Sequence, residues 1–388
     1  MSKVLVTGGT GFLGQHLLAL LLRRGEQVRV LTRAAAAPEL DGLDVEVVEG
    51  SLTDPAAVAK AVAGVSQIYH CAGLVSRDLD AAAQMYRLHV DGTRFLLESA
   101  QRAKVKRIVV VSTSGTVAIS KEEEEVSTEE SPLRYELAKD WPYYLSKIYE
   151  EKLALDFAAA GKLELVLVNP SLLLGPGDGR LSSTGDVLKF LKREIPVVPS
   201  GGVNFVDARD AAAGAILAME KGASGQRYLL GGPNWTFAEF FARLARVSDV
   251  RAPTARIPDV AARLGASVVD RLYRWKGGET KAPVDPVSVE MSQHFWYLDA
   301  GKARRELGWE PRDPMETLDD TVADLRERHL GGAPPTAKAP SFLESLVTKL
   351  GASDRDDEPA PREKPLAKAK AAASKGKAAK PKGRGARR

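Results

Sequence analysis

The sequence predicts an α/β fold built on a doubly wound parallel sheet. Short runs rich in valine and isoleucine alternate with segments of helical periodicity. Because these runs are continuously apolar, they indicate strands that helices cover on both faces, as in parallel sheets. A chain of 388 residues is long enough for one such body with an appendage. The predicted strands are Val4–Val6, Val28–Leu31, Val45–Val48, Ile68–His70, Ile108–Val111, Leu165–Val168 and one that begins at Arg227.

A glycine-rich turn follows the first predicted strand at once. In "TGGTGFLG", Gly8, Gly11 and Gly14 lie between Val4–Val6 and the helical Leu17–Leu22. Glycine permits a tight turn and lets backbone N–H groups and a helix N-terminus approach a pyrophosphate. A strand, this turn and a helix in succession therefore predict a dinucleotide-binding loop.

The end of the second strand bears on which dinucleotide binds. NAD sites normally have Asp or Glu at this place, where the carboxylate accepts hydrogen bonds from the adenosine ribose. The sequence has Thr32 there, followed by Arg33, whose cation suits a 2′-phosphate. We therefore expect NADP(H) to be preferred over NAD(H), although a solvated arginine at a strand end would look the same.

Two tyrosine–lysine pairs have the spacing that carbonyl chemistry requires. An unperturbed phenol has a pKa of about 10, and a lysine four residues later on the same helix face stabilises its phenolate. The pairs are Tyr135–Lys139 and Tyr143–Lys147. Pro142 would interrupt any helix that continues from the first pair. The same proline suits the first turn of a helix that carries the second pair. We therefore predict Tyr143 as the proton donor or acceptor. Lys147 would lower its pKa and hold the nicotinamide ribose; a solvated ion of no catalytic role is the alternative.

Several segments resemble the extended short-chain dehydrogenase/reductase superfamily, whose members have a Rossmann fold. Within it the likeness is to dihydroflavonol-4-reductase-like and hopanoid-associated sugar epimerase-like members, and it extends from residue 1 to about residue 330. The segments are "TGGTGFLG", "HCAG" at 70–73, "HVDGT" at 89–93, "VVVSTSGT" at 109–116, "YYLSK" at 143–147, "NPSLLLGPGD" at 169–178, "NFVDARDAA" at 204–212 and "KARRELGWEPR" at 302–312.

The resemblance also implies roles for individual residues. Among Ser112, Thr113 and Ser114 it selects Ser114 as the hydroxyl that polarises the substrate carbonyl, with Thr113 in its place if the register is displaced by one. The implied cofactor contacts are Gly8, Gly11, Phe12, Leu13, Gly14, Arg33, Ser51, Leu52, Cys71, Ala72, Tyr143, Lys147 and Pro170.

Two positions depart from the family pattern. Relatives usually have asparagine where His89 stands and aspartate where Ser51 stands. Such an asparagine organises the active-site helix or a proton-relay water, a role that His89 could fill with a pH-dependent charge. A buried, hydrogen-bonded histidine without a catalytic role is an equally good interpretation. The missing aspartate removes one adenine contact.

The domain organisation follows from these assignments. We predict a dinucleotide-binding domain at residues 1–170, to which 205–233 return, and a smaller substrate lobe at 171–204 and 234–330. Within that lobe, "TFAEFFARLARVS" predicts a helix capped by Thr236, with Glu239 closing a capping box. Residues 331–388 would form a linker, one short helix and a basic tail.

The charge is concentrated at the C-terminus. The net charge of +4 divides into +10 for residues 361–388, which hold eleven Lys or Arg and the single Glu363, and 4 − 10 = −6 for the remainder. This tail has too few apolar residues to offset the entropy of ordering and is predicted to be disordered. It would bind polyanions, nucleic acid or an anionic membrane surface, without reading bases, or would simply aid solubility.

The composition favours the cytoplasm and an apolar substrate. No apolar stretch reaches the roughly 18 residues that cross a bilayer, no signal peptide is evident, and the single Cys71 cannot form an internal disulfide. "PSLLLGPG" and "PDVAARLGASVVDRLYRW" give the lobe an aliphatic character. The leading hypothesis is an NADP(H)-dependent reductase of a ketone or aldehyde. The alternatives are a sugar-nucleotide epimerase or dehydratase and a non-catalytic dinucleotide-binding regulator; a second copy of the chain is a further partner to consider.

Overall fold

A seven-stranded parallel sheet lies at the centre of the structure, a computed structural model that describes residues 3–34, 36–161, 163–275 and 286–331. The described residues form two sheets, whose strands in chain order are β1 (Lys3–Thr7), β2 (Gln27–Thr32), β3 (Val45–Glu49), β4 (Val65–His70), β5 (Arg107–Val111), β6 (Glu164–Pro170), β7 (Leu172–Leu174), β8 (Gly202–Asp207), β9 (Arg227–Leu230) and β10 (Asn234–Thr236). The order of the large sheet is β3-β2-β1-β4-β5-β6-β9, with every neighbouring pair parallel. This is the Rossmann order, so the predicted fold class is confirmed.

Helices cover both faces of this sheet. The α-helices of the described residues are α1 (Phe12–Arg23), α2 (Pro55–Val62), α3 (Ala82–Tyr86), α4 (Thr93–Arg102), α5 (Tyr135–Ala138), α6 (Pro142–Ala159), α7 (Gly185–Leu191), α8 (Ala208–Lys221), α9 (Phe237–Ser248), α10 (Asp259–Trp275), α11 (Pro286–Met291) and α12 (Pro314–His329). Successive strand residues enter different cores: Val4 and Val6 pack with α1 and α8, whereas Leu5 packs with α2 and α4. Such alternation is what a strand buried on both faces requires.

A smaller sheet has the order β10-β8-β7, in which β8 is parallel to β7 and antiparallel to β10. It shares a third apolar core with α7, α9 and α12. The chain leaves this sheet at Asp207, whose carboxylate caps α8 by accepting the Arg209 N–H. α8 then packs against α1 on the central sheet.

The predicted cap of α9 is confirmed. The Thr236 hydroxyl accepts the Glu239 N–H, and the Glu239 carboxylate accepts the Thr236 N–H. Both groups satisfy helix-end donors that would otherwise be unpaired, so a four-residue sequence pattern is enough to fix this helix start.

Two further observations bear on the sequence predictions. Within the described residues, no helix is both long and apolar enough to span a bilayer. The basic tail and the short helix predicted before it lie outside the described residues.

Candidate active site

The glycine-rich loop brings β1, α1 and the end of β4 into close contact. Gly8 has a left-handed φ of +74°, and a Cβ there would lie 2.6 Å from the Ala72 nitrogen. A Cβ on Gly14 would overlap the carbonyl oxygen of Gly8 and lie 2.8 Å from the Gly9 Cα. The loop can therefore adopt this path only with glycine at both positions.

Gly11 is the N-cap of α1, and the space in front of it is open. A Cβ on Gly11 would approach only the Gly8 oxygen, at 3.2 Å. The first-turn N–H groups of Phe12 and Leu13 have no acceptor within their own helix, because an α-helix leaves its first donors unpaired. This combination of open space, unpaired donors and a helix N-terminus fits the diphosphate of a dinucleotide.

The other residues predicted to contact the cofactor lie along the same edge of the sheet. Because the strands are parallel, their carboxyl ends meet there and form a crevice. Arg33 follows β2 and is exposed, and the Ser51 hydroxyl accepts the Thr53 N–H at 3.2 Å within its own turn. The remaining positions are Leu52 after β3, Cys71 and Ala72 after β4, and Pro170 at the end of β6.

Cys71 stays protonated at this edge. Burial raises the pKa of its thiol to about 12, and the nearby Lys147 ammonium opposes that shift only in part. The side chain is therefore a small apolar contact rather than a nucleophile.

The two tyrosine–lysine pairs occupy different environments. Tyr143 and Lys147 lie on α6, which starts at Pro142, and Lys147 is 3% exposed. Its ammonium donates to the Val111 carbonyl at 2.9 Å, at the end of β5.

The first pair is separated from this edge. Tyr135 lies on the short helix α5, and its ring packs 5.9 Å from that of the exposed Tyr149. Lys139 is exposed. Of the two pairs, the geometry brings only Tyr143–Lys147 to the crevice.

Three neighbouring hydroxyls at the end of β5 are distinguished by their partners. Ser112 is buried and donates to Glu151 at 2.9 Å, so its proton is already engaged. Ser114 is 4% exposed and begins a tight turn. Thr113 is half-buried, and its hydroxyl is close enough to Tyr143 to oppose the rise in the pKa of that phenol. The geometry therefore favours Thr113 over the predicted Ser114 as the polarising hydroxyl, which is the alternative register that the sequence left open.

Replacing Thr113 with Val should test this assignment. Because removal of one donor to a developing oxyanion typically costs about a hundredfold or more, we expect kcat for carbonyl reduction to fall on that order. Ser114→Ala is the matched control and should change kcat by less than about threefold. Steady-state kinetics at saturating cofactor would measure both, and a larger loss in the Ser114 variant would restore the original assignment.

A buried series of hydrogen-bonded side chains connects β1 to Lys147 and was not predicted from the sequence. Thr7 contacts His70 Nδ1 at 2.6 Å, and His70 Nε2 contacts the Thr93 hydroxyl at 2.8 Å. Thr93 donates to Glu150 at 3.1 Å, and Glu150 forms an ion pair with Lys147. All five side chains are at most 3% exposed. The only sequence signal was the i,i+3 spacing of Lys147 and Glu150.

His89 is held as a neutral ring. The Leu74 N–H donates to Nε2 at 3.0 Å, so the ring proton lies on Nδ1, which donates to the Ser146 hydroxyl at 2.8 Å. Ser146 in turn donates to the Tyr143 carbonyl at 2.8 Å. Burial, reinforced by the Lys147 ammonium, lowers the pKa of His89 to about 3. A change of charge near neutral pH is therefore not its role; it anchors the start of α6 to the loop after β4.

An aromatic wall flanks Tyr143. The ring of Tyr144 lies 5.0 Å from that of Tyr143 and 4.9 Å from that of Trp296, which stacks on Trp141 at 5.8 Å. A Cβ on Gly115 would overlap Tyr144, so glycine at that position lets the ring lie against the end of β5. The wall consists of Trp141, Tyr144 and Trp296.

Comparisons with known proteins agree with this geometry. Residues 4–231 match the sequence model of the NAD dependent epimerase/dehydratase family. A Methylococcus capsulatus protein named sterol demethylase protein B is 34% identical over 332 residues, which is 84% of this chain and 98% of its own. A Synechocystis protein named as a dihydroflavonol 4-reductase is 33% identical over 324 residues, covering 82% and 92%.

Among solved structures, a dTDP-glucose 4,6-dehydratase from Streptomyces venezuelae with NAD bound superposes with a TM-score of 0.65 at 25% identity. The alignment covers 86% of this chain and 99% of that one. The shared architecture therefore includes both sheets.

Proposed function

The chain belongs to the NAD dependent epimerase/dehydratase family of extended short-chain dehydrogenases, and from this premise we propose that it is an NADP(H)-dependent reductase of apolar ketones or aldehydes. The observation that carries the proposal is that Tyr143 and Thr113 lie close together after β5, and that the Lys147 ammonium donates to the Val111 carbonyl at the end of the same strand. Family membership makes the protein a nicotinamide-dependent enzyme; the direction of reaction, the substrate and the choice of NADP(H) are proposals.

The three groups have distinct tasks in a reduction. A dinucleotide held at the glycine-rich loop would supply the hydride that the carbonyl carbon receives. Tyr143 donates its O–H proton to the carbonyl oxygen, so that the carbonyl becomes an alcohol. Thr113 hydrogen-bonds the same oxygen while negative charge develops on it. Lys147, one helical turn further along α6, is the cation assigned to stabilise the phenolate left on Tyr143.

The aromatic wall supports an apolar substrate. Tyr144 and Trp296 are partly exposed next to Tyr143, and Leu172 is 36% exposed after the end of β6. Aromatic rings and aliphatic groups at a reaction centre favour binding of an apolar substrate, because its apolar surface is buried against them. A nucleotide sugar would need polar partners there. The dihydroflavonol 4-reductase named among the relatives points the same way.

A substrate panel tests the proposal. The purified protein should oxidise NADPH when given aryl or alicyclic ketones and aldehydes, and should release its nicotinamide on dialysis. An epimerase would instead retain its dinucleotide and interconvert nucleotide sugars without net consumption of NADPH. Retention of NAD together with turnover of a nucleotide sugar would refute the reductase proposal in favour of the epimerase.

The preference for NADP(H) rests on Arg33 and is tested separately. Its exposed side chain follows β2, which ends in Thr32 rather than an acid. Arg33→Ala should weaken NADPH binding by about tenfold, the value of one modest charge-assisted contact, and leave the Kd of NADH almost unchanged. Fluorescence titration measures both constants. Equal affinities for the two cofactors in the parent protein would remove the basis of this preference.

A further inference from the structure

A buried carboxylate lies against the catalytic lysine. Glu150 is fully buried and forms an ion pair with Lys147, three residues earlier on α6. Tyr143, Lys147 and Glu150 are spaced i, i+4 and i+7, which places them on one face of the helix. The group that should stabilise a phenolate therefore has a counter-charge of its own.

A chain of hydrogen bonds leads from β1 to this carboxylate. The Thr93 hydroxyl donates to Glu150 at 3.1 Å. Thr93 also contacts His70 Nε2 at 2.8 Å, and His70 Nδ1 contacts the Thr7 hydroxyl at 2.6 Å. The partners of Glu150 are thus a hydroxyl donor and the Lys147 ammonium, and both favour the ionised carboxylate.

We propose that Glu150 is a positioning residue that holds the Lys147 ammonium and keeps Tyr143 in its proton-donating form, so that the site works as a reductase at neutral pH. The proposal rests on the proposed function, because it assigns a direction to that reaction. Glu150 itself neither gains nor loses a proton during turnover.

Electrostatics at the two acids agree with this role. Burial by itself would raise the pKa of Glu150, but the Lys147 charge and the nearby His70 ring outweigh it and lower that pKa to about 2. Burial raises the pKa of Tyr143, and Tyr144 and the Glu150 charge raise it further, against a smaller opposing effect of the Thr113 hydroxyl.

The other titratable groups around this cluster come from several elements. His89, from the π-helical segment Arg87–Gly92 before α4, is neutral near pH 7, and Cys71 after β4 remains a thiol. Arg77, from the loop after β4, acts on Tyr144 and lowers its pKa slightly against the effect of burial. The groups that face the cluster are thus His70, Cys71, Arg77, His89 and Tyr144.

The proton balance explains the directional bias. In reduction the Tyr143 O–H bond breaks, a substrate O–H bond forms, and the phenolate regains a proton from water. In oxidation the phenolate must exist beforehand to accept the alcohol proton. A site that holds the phenol protonated therefore reduces at a rate nearly independent of pH around neutrality, and oxidises faster as the pH rises.

A titration that needs no substrate tests the proposal. The ultraviolet difference spectrum between the full-length protein and Tyr143→Phe isolates the Tyr143 phenolate. We expect no such signal below about pH 9 in the parent, since the unperturbed phenol already titrates near 10. Glu150→Gln should lower the midpoint, because it removes a like charge and leaves the Lys147 ammonium without its counter-charge.

Two outcomes would overturn the proposal. A Tyr143 phenolate near neutral pH in the parent would do so whether or not Glu150→Gln folds, and an unchanged or higher midpoint in a folded Glu150→Gln would do so as well. Glu151→Gln is the control, because it also removes a buried carboxylate, one that is paired with Arg227. It should lower stability but leave the Tyr143 midpoint in place.

Kinetics separate this proposal from the proposed function. If the parent titrates as expected but reduces none of the carbonyls tested, the reductase proposal fails and the role of Glu150 stands. If reduction is observed, its alkaline limb in kcat/KM should move to lower pH in Glu150→Gln by the same amount as the spectroscopic midpoint. If Glu150→Gln shifts the spectroscopic midpoint but not the alkaline limb of kcat/KM, ionisation of Tyr143 does not control the direction of the reaction.

Discussion

Replacing Tyr143 with Phe is expected to reduce kcat for carbonyl reduction by about a hundredfold to ten-thousandfold, with the Kd of NADPH nearly unchanged. The substitution removes only the hydroxyl that donates the proton, and a positioned acid contributes on this order. The ring stays in place between His89, at 5.9 Å, and Tyr144, at 5.0 Å. Stopped-flow or steady-state NADPH oxidation measures the effect.

Tyr135→Phe is the matched control, because it makes the same change in the pair that lies outside the crevice. Its kcat should equal that of the parent within about twofold. If Tyr135→Phe abolishes turnover and Tyr143→Phe does not, the wrong tyrosine–lysine pair has been assigned. A Tyr143→Phe protein that retains full activity would remove the phenol from the mechanism.

Replacing Gly14 with Ala is expected to abolish measurable dinucleotide binding and to lower the stability of the fold. The new methyl group would overlap the Gly8 carbonyl oxygen, and the backbone of the loop has no flexible side chain that could move instead. Overpacking of this kind typically costs roughly 1–3 kcal/mol, and any shift of the loop also moves the α1 donors. Thermal unfolding with and without NADPH measures both effects.

The control for this change is Gly265→Ala on α10. A Cβ there meets nothing within 4 Å, so the same substitution should be neutral or slightly stabilising through helix propensity. The stabilisation of the parent by NADPH should persist in this variant. Unchanged NADPH binding in Gly14→Ala would mean that the loop does not hold the diphosphate.

The fold was predictable because its signals are local. Continuous apolar strands, a glycine turn followed by a helix, and a capping box each act within about ten residues, and β1, α1 and α9 appear where those patterns lie. Pro142 likewise distinguishes the two tyrosine–lysine pairs from sequence, because a proline suits only the first turn of a helix.

The polarising hydroxyl could not be chosen in the same way. Ser112, Thr113 and Ser114 are chemically alike and adjacent, so selecting among them requires the direction in which each side chain leaves β5. The buried Glu151 engages Ser112, and the turn after the strand encloses Ser114. Both effects depend on α6 packing against the strand end, which no three-residue pattern encodes.

By itself the sequence determined the architecture of this protein, the glycine-rich turn and the spacing of Tyr143 and Lys147 on one helix, since each follows from local propensity or helical spacing. Only the tertiary structure decided which hydroxyl lies near Tyr143 and which charge opposes Lys147. Thr93 of α4 donates to Glu150 and is linked through His70 of β4 to Thr7 of β1, so the surroundings of this carboxylate come from three separate elements. A carboxylate stays ionised in a buried place only when such distant donors and a cation converge on it, and that convergence exists only after the chain has folded.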